Sequence, residues 1–323
     1  MKDFFKKYGV LTLITCFLVG IIGYYAYETN KDKIPGKKVN GEDVVYSVNG
    51  IDVTADQLYE KMYQSGGTTA LAMMFENAVL DQAVETTDDM KTLADQNYDS
   101  IVYNYQNNYG NDYEAYLLSA LNSLGYSKLE DLKTYLINQS KVTKLADEYL
   151  TNHPEVFEEY AAENHPHILS HILVKMEDPE NPTDEEKAKM ASVDAALAEG
   201  KSFGEVAAEF SDDTSAANQG SLGMSDDNTS YVPEFLEAAS KLKAGETSEW
   251  TKTDYGYHLI HCDADDYDTL KADGTLLSTM LTTITDFRAK VLMEKAEELG
   301  IDFKDNAELE TALKKYMGLE EGK

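Results

Sequence analysis

Two capping boxes constrain this chain more than any other feature of its sequence. Thr183 with Glu186, and Ser202 with Glu205, each set a hydroxyl three residues ahead of a carboxylate at the head of an apolar run. The first predicts a helix carrying Met190, Val193 and Leu197 and stopped by Gly200; the second predicts one carrying Val206, Ala207 and Phe210. A third helix is expected from Pro233, a residue suited to the first helical turn, through Phe235, Leu236, Ala239 and Leu242 to Gly245. Strand-like segments flank these helices, at 168–174 before and at 248–253 and 257–262 after. Strand, helix, helix, loop, helix, strand, strand is the order of a compact α+β unit spanning 165–263.

His165, His167 and His171 open this unit, and His258 and His261 close it. Strand residues alternate faces, so His171 and His258 meet on one face if the first and last strands are neighbours, while His261, at an odd offset, turns away. A single strand histidine is ordinarily a satisfied core or surface residue, and His165 and His167, flanking Pro166, are read that way. A zinc site would need a third or fourth ligand at suitable spacing; His171, His258 and Asp213 could in principle offer one, but that reading ranks low, and no metal or other cofactor is expected. Cys262 reads as a small buried apolar residue.

The flanks are mostly helical. Residues 44–48 read as a strand, Asn49-Gly50 as a hairpin turn and 51–53 as the return strand. Leu71, Met74, Phe75, Ala78 and Val79 fall on one helical face. Ser127 and Glu130 predict a capping box opening a helix with Leu132, Tyr135, Leu136, Val142, Leu145 and Tyr149, ending at His153 because Pro154 follows. Residues 276–299 read as one helix with Leu277, Met280, Leu281, Ile284, Phe287, Val291, Leu292 and Leu299. Such a helix needs a partner for its apolar stripe, and the N-terminal helices supply it. The expected organisation is a segment at 1–28, a linker at 29–42, a helical region at 43–162, the α+β unit at 163–265 inserted into it, and a completing helical region at 266–323. More than half of the 22 tyrosines lie between Tyr46 and Tyr160. Most suit core or surface padding, and some suit a broad amphipathic surface.

Lys2, Lys6 and Lys7 precede an uncharged run at 8–27, long enough to cross a bilayer, with Tyr24, Tyr25 and Tyr27 at its far end. The lysines favour a cytoplasmic N-terminus, so the body of the chain is expected outside the cell membrane. An uncleaved anchor is the favoured reading. A lipoprotein with Cys16 as the lipidated residue is the alternative, and simple secretion ranks below both. With only Cys16 and Cys262, no intrachain disulfide is expected. The net charge of −31 argues against nucleic acid and anionic surfaces as partners.

Four segments of the middle unit, HILVK at 171–175, FSDD at 210–213 with SLG at 221–223, YVPEF at 231–235 and TDYGYHLI at 253–260, together resemble the parvulin (PpiC-type) peptidyl-prolyl isomerase domain. On fewer residues, chiefly VNG at 48–50 and the helices around the unit, the flanks are similar to the chaperone regions of extracytoplasmic foldases of the PrsA and SurA kind. The resemblance implies that His171 and His258 are the paired active-site histidines. Asp213 then takes the position held by cysteine or aspartate, Thr253 bonds the pair, and Tyr255 stands where some members have serine. It also implies a proline-ring pocket of Leu222, Tyr231 and Phe235, with Tyr231 in place of methionine. Gln219-Gly220-Ser221 replaces the usual double glycine, and Lys175 alone stands where phosphate-directed members carry arginines, so phosphoserine-proline specificity is not expected.

The implied function is a membrane-anchored, extracytoplasmic peptidyl-prolyl isomerase and chaperone at a Gram-positive surface. Its clients would be unfolded or partly folded exported proteins with X-Pro bonds. A homodimer through the helical domain is possible, and the rival is a holdase whose parvulin-like domain only binds. The reaction suits these residues. The peptide C–N bond resists rotation by about 18–20 kcal/mol, and X-Pro isomerisation takes tens to hundreds of seconds uncatalysed. A thousandfold acceleration asks for only about 4 kcal/mol of preference for the twisted amide. An apolar slot and a few fixed polar groups can supply that without a nucleophile.

Overall fold

The structure is a computed structural model and describes residues 37–62, 67–304 and 306–319. The candidate membrane run at 8–27 and Cys16 lie outside the described residues. Among the described residues no helix is long and apolar enough to cross a membrane. The chain divides into two compact units, 1–71 and 72–323.

The first unit contains an antiparallel sheet of β1 (Lys38–Val39), β2 (Glu42–Val48) and β3 (Ile51–Thr54), in that order, followed by α1 (Ala55–Met62). The hairpin turn forms as its sequence requires, with Asn49 and Gly50 both at positive φ (49° and 83°). Thr54 and Gln57 exchange side-chain-to-backbone bonds of 3.2 Å at the head of α1, a capping box of its own.

Beyond it come α2 (Thr68–Ala83), α3 (Asp88–Tyr109), α4 (Tyr113–Ser123), α5 (Asp131–Asn152) and α6 (Pro154–Asn164). Phe75, Val79 and Leu80 of α2 are buried, but Met74 is 65% exposed, so the apolar stripe is narrower than its sequence spacing. The capping box expected at Ser127 does not form. The carboxylate of Asp131 accepts the amide N–H groups of Ser127 and Lys128 instead (3.1 and 3.0 Å), which ties off the preceding turn and starts α5 at Asp131. The helix stops at Asn152 and Pro154 opens α6, as the pre-proline constraint dictates.

The α+β unit then runs β4 (His167–Lys175), α7 (Asp184–Ala198), α8 (Phe203–Phe210), β5 (Ser221–Ser225), α9 (Pro233–Ala239), β6 (Thr251–Thr253) and β7 (Gly256–Ala264). Both capping boxes form in full at the heads of α7 and α8. The sheet order is β5-β4-β7-β6, with every neighbouring pair antiparallel. Strand β5 was not expected, since SLGMS is poor in β-branched and aromatic residues. As an edge strand it needs one partner only, and β4 provides it. β6 is shorter than the strand read at 248–253, and Thr247 makes only an isolated bridge to His261.

The two sheet faces have separate cores. Ile172 and Leu259 pack with Val193, Ala196, Val206 and Ala207 of α7 and α8. On the other face Leu169, Ile260 and Cys262 pack with Phe235, Ala239 and Leu242 around α9.

Four helices follow: α10 (Tyr267–Asp273), α11 (Leu276–Thr283), α12 (Phe287–Glu298) and α13 (Ala307–Tyr316). The single helix read at 276–299 is thus two, broken where Ile284 takes an extended conformation (φ −87°, ψ 108°). The bend brings both pieces onto α5, burying Leu276, Leu277 and Met280 from one and Phe287, Val291 and Leu292 from the other. Leu299, read on the same stripe, is 42% exposed. Arg288 of α12 reaches Glu76 of α2 at 2.6 Å and Gln139 of α5 at 3.0 Å, so helices from both sides of the α+β unit share one core.

Candidate active site

β4 and β7 pair with Leu173 opposite His258 and His171 opposite Ile260. The two histidines are therefore diagonal neighbours on one face, as the alternation of strand residues predicts. Their rings stack at 5.5 Å with the Nδ1 atoms 3.3 Å apart. Both residues are 6% exposed. Burial holds His171 below its ordinary pKa of 6.5, against an opposing pull from Asp213. Burial, and secondarily the neighbouring His171, brings His258 down to about 4. The pair is neutral at pH 7.

The groups facing the four ring nitrogens are consistent with one proton order. The Thr253 hydroxyl lies 2.9 Å from His258 Nε2, and its oxygen accepts the N–H of Tyr255 at 3.1 Å. At the other end His171 Nε2 lies 3.3 Å from Asp213 Oδ2. A carboxylate only accepts, so His171 carries its proton on Nε2. His171 Nδ1 must then accept from His258 Nδ1, and His258 Nε2 accepts from Thr253. One proton order therefore runs Thr253 to His258 to His171 to Asp213. The last link is at ion-pair distance but is not aligned as a hydrogen bond, so this buried N–H is left without a fully formed bond in the chain.

Asp213 is held from below. Burial alone would raise its pKa, but the amide of Ser215 (2.7 Å) and the pairing with His171 outweigh that and hold it at about 2. Ser211 accepts the N–H of Leu173 and of Asp213 (3.1 and 3.3 Å), and Asp212 N–H donates to Leu173 O at 2.8 Å. Residues 211–213 are thereby laced along the free edge of β4 just where β5 ends. Sequence reading singled out Asp213 but missed Ser211 and Asp212, whose signal was the run of short polar side chains before it.

Gly220 completes the support. At φ 82° its carbonyl accepts the N–H of His171 at 2.9 Å, and a Cβ there would fall 2.6 Å from His171 O and 2.8 Å from Ala207 Cβ. Gln219, where the double glycine would begin, takes the left-handed conformation too (φ 57°), at a cost of roughly 1–2 kcal/mol that glycine would avoid.

Phe235 presents its edge to both histidines, at 5.7 and 5.5 Å, and Tyr231 packs on Phe235 at 5.1 Å. Leu222, half-buried, packs beside them. Of the three residues expected around the proline ring, Phe235 adjoins the histidine pair, and Tyr231 and Leu222 pack with Phe235. Tyr255 is brought to the site through its amide only, and its ring is 59% exposed on the β6–β7 turn. His261 turns away, bonded to Thr247 (2.8 Å) and stacked on Phe203, while His165 and His167 are satisfied by Asp227 (2.8 Å) and Leu242 O (3.0 Å). Among the described residues no group of three or more histidine, cysteine, aspartate or glutamate side chains is placed to hold a metal ion.

Residues 171–264 match the family model described as Rotamase: PPIC-type PPIASE domain. The foldase protein PrsA of Geobacillus kaustophilus is 34% identical over 222 residues, which cover 68% of this chain and 69% of that protein. The chain belongs to the PrsA foldase family. Foldase protein PrsA 2 of Listeria innocua is 29% identical over 287 residues, covering 86% of this chain and 89% of its own. The crystal structure of PrsA from Bacillus subtilis aligns at a TM-score of 0.41 and 25% identity, over 84% of this chain and 98% of that one.

This PrsA-family protein is a foldase with a peptidyl-prolyl cis-trans isomerase domain, and its partners are client proteins. Beside the expected site lies a group of apolar and aromatic side chains, next to a buried, neutral histidine pair with an ionised carboxylate at one end. That combination can hold a ring, strip water from an amide and bias its charge distribution. It contains no activated nucleophile.

Proposed function

We propose that the isomerase acts through His171, His258, Asp213, Thr253 and Tyr255, with the proline ring held by Leu222, Tyr231 and Phe235. The observation that carries this reading is the Thr253–His258–His171–Asp213 chain running beside the slot. In it the slot fixes the ring while the N-terminal side of the amide stays free to turn. The ionised Asp213 disfavours negative charge on the carbonyl oxygen and so weakens C–N double-bond character. Thr253 and the Tyr255 amide hold the histidines in one tautomeric order, so the site need not reorganise during rotation.

The unit at 163–265 is read as an insertion in a helical chaperone domain made from 43–162 and 266–323, a reading supported by the packing of α11 and α12 on α5. The protein is read as extracytoplasmic at a Gram-positive surface, held by an uncleaved 1–28 anchor in preference to a lipid on Cys16, with exported proteins containing X-Pro bonds as clients and a homodimer as one possible assembly. Support comes from the lysine-flanked uncharged run at 8–27.

The test is exchange-NMR measurement of cis–trans rates for a panel of X-Pro peptides with the native chain and Asp213→Ala. Acceleration that disappears in the variant is the expected result. Equal acceleration by both would move the chemistry away from Asp213. Membrane fractionation of Cys16→Ala separates the two anchors, because only a lipoprotein loses its attachment.

A further inference from the structure

We propose that Tyr160 and Asp226 are positioning residues for the proline slot, so that helix α6, ahead of the sheet that carries the site, sets how tightly the isomerase grips the proline ring. The inference rests on the isomerase reading above, in which Tyr231 is one wall of that slot.

The three slot residues are held in different ways. Leu222 stands on β5, whose place is fixed by its pairing with β4. Phe235 is 3% exposed on α9 and packs with Leu169, Ile260 and Cys262 of the sheet. Tyr231 is half-buried and lies between β5 and α9, at the end of the run Ser225-Asp226-Asp227-Asn228-Thr229-Ser230. That run has no apolar side chain to bury, so hydrogen bonds must fix where it lies.

Those bonds lead to α6. The phenol of Tyr160, a buried residue, donates to Asp226 Oδ2 at 2.8 Å, and Asp226 is itself buried. Asp226 Oδ1 accepts the amide of Asn228 at 2.9 Å and the hydroxyl of Thr229 at 3.2 Å, and the Thr229 hydroxyl oxygen accepts the amide of Asp226 at 2.9 Å. The Thr229 carbonyl then accepts the amide of Tyr231 at 2.7 Å. Tyr160 to Asp226, Asp226 to Thr229 and Thr229 to Tyr231 form one run of bonds from the helix to the slot wall. The end of α6 holds the same loop a second time. Asn164 O accepts the amide of Asp227 at 2.9 Å, and Asn164 Oδ1 accepts from Asn228 Nδ2 at 3.0 Å.

The Tyr160 bond is the buried one of these attachments. Without the phenol, a dry carboxylate oxygen loses its donor, and a polar group so left is driven toward water. The loop follows it and carries Tyr231 away from Phe235. His171 and His258 stay in place, because β4 and β7 hold them through their own pairing. The loss therefore falls on the grip and leaves the turning of the amide alone, which separates it from a general loss of folded protein.

The experiment measures KM and kcat for cis–trans exchange of an Ala-Pro peptide, using the full chain and its variants. Tyr160→Phe is expected to raise KM about fivefold with kcat unchanged. Asp226→Ala is expected to raise it at least as much. Asp226→Asn is expected to keep KM within about twofold of native, because its carbonyl still accepts from Asn228 and Thr229 while its amide donates to the Tyr160 oxygen. In a Tyr231→Ala background the Tyr160→Phe effect on KM is expected to vanish, since the two residues act as one unit. An unchanged KM in Tyr160→Phe, a loss of kcat alone, or a KM effect that persists without the Tyr231 ring would overturn the inference and leave the isomerase reading standing. Tyr231→Ala with the native KM would take Tyr231 out of the slot and the inference with it. No acceleration by the native chain would remove both.

Discussion

Ile172 and His171 are neighbours in sequence and work under opposite constraints. Ile172 faces α7 and α8 in a core of aliphatic side chains and is fully buried. His171 faces α9 and is nearly as buried, but the atoms around it are a second imidazole, a carboxylate and an aromatic edge. One face of the sheet gains its stability from burying apolar area. The other uses that stability to keep polar groups dry and fixed. Burial alone does not separate a structural face from a chemical one; what does is whether the buried groups still have hydrogen-bonding capacity to spend on something else.

The sharpest way to break this contrast is to damage each face separately. Ile172→Ala is expected to destabilise the chain by about 2–5 kcal/mol, read by chemical denaturation, with the rate per folded molecule little changed. Asp213→Asn keeps a side-chain acceptor for the Ser215 amide but removes the charge. It should lower kcat/KM about a hundredfold while moving the denaturation midpoint far less than the isoleucine variant does. If the two variants lose stability equally, the division of labour between faces is wrong. Thr253→Val preserves shape but leaves His258 Nε2 without its donor. A roughly tenfold rate loss is expected, with a change of His258 tautomer visible in its ring nitrogen shifts. A rate loss without that change would make Thr253 a packing residue only.

The pH dependence is the mildest effect and has a definite sign. His258 has a pKa of about 4 in the folded chain against 6.5 when free, so the unfolded chain takes up its proton first. Its contribution is complete above pH 6.5 and is lost as the pH falls toward 4. Asp213, at about 2 against 3.8, adds a loss below pH 3.8. Isomerisation that needs a neutral His258 should therefore be level above pH 6.5 and lost near pH 4. A fall centred near 6.5 would mean that the histidines are hydrated in solution.

How much of this was legible in the sequence varied with how local the cause was. Both capping boxes at 183 and 202, the Asn49-Gly50 turn and the stop before Pro154 follow from a few adjacent residues, and all formed. The Ser127 box failed because Asp131, one residue beyond the motif, takes the Ser127 amide that Glu130 would have bonded, together with that of Lys128. β5 was invisible because its pairing comes from β4, far away in sequence, while its own residues carry little strand preference. The break at Ile284 was hidden for the same reason, since packing against α5 decides it and the 276–299 pattern stays periodic across it. At the site, alternation placed the histidine pair on one face. Ser211, Asp212 and the direction of the proton chain needed the three-dimensional arrangement.

The register of β4 on β7 sets Ile168 beside Ala264, so the α+β unit begins and finishes on adjacent strands. A segment that departs within one strand spacing of where it arrived, about 5 Å, can be treated as a cartridge. Under the insertion proposed above, its removal is expected to need only a short bridging turn between the ends, together with repair of the body's contacts to it, such as Tyr160 with Asp226. On that proposal the helical body and the isomerase are free to drift, duplicate or be swapped separately. For protein engineering, the same two adjacent ends are the positions at which a foreign domain is best spliced into this scaffold.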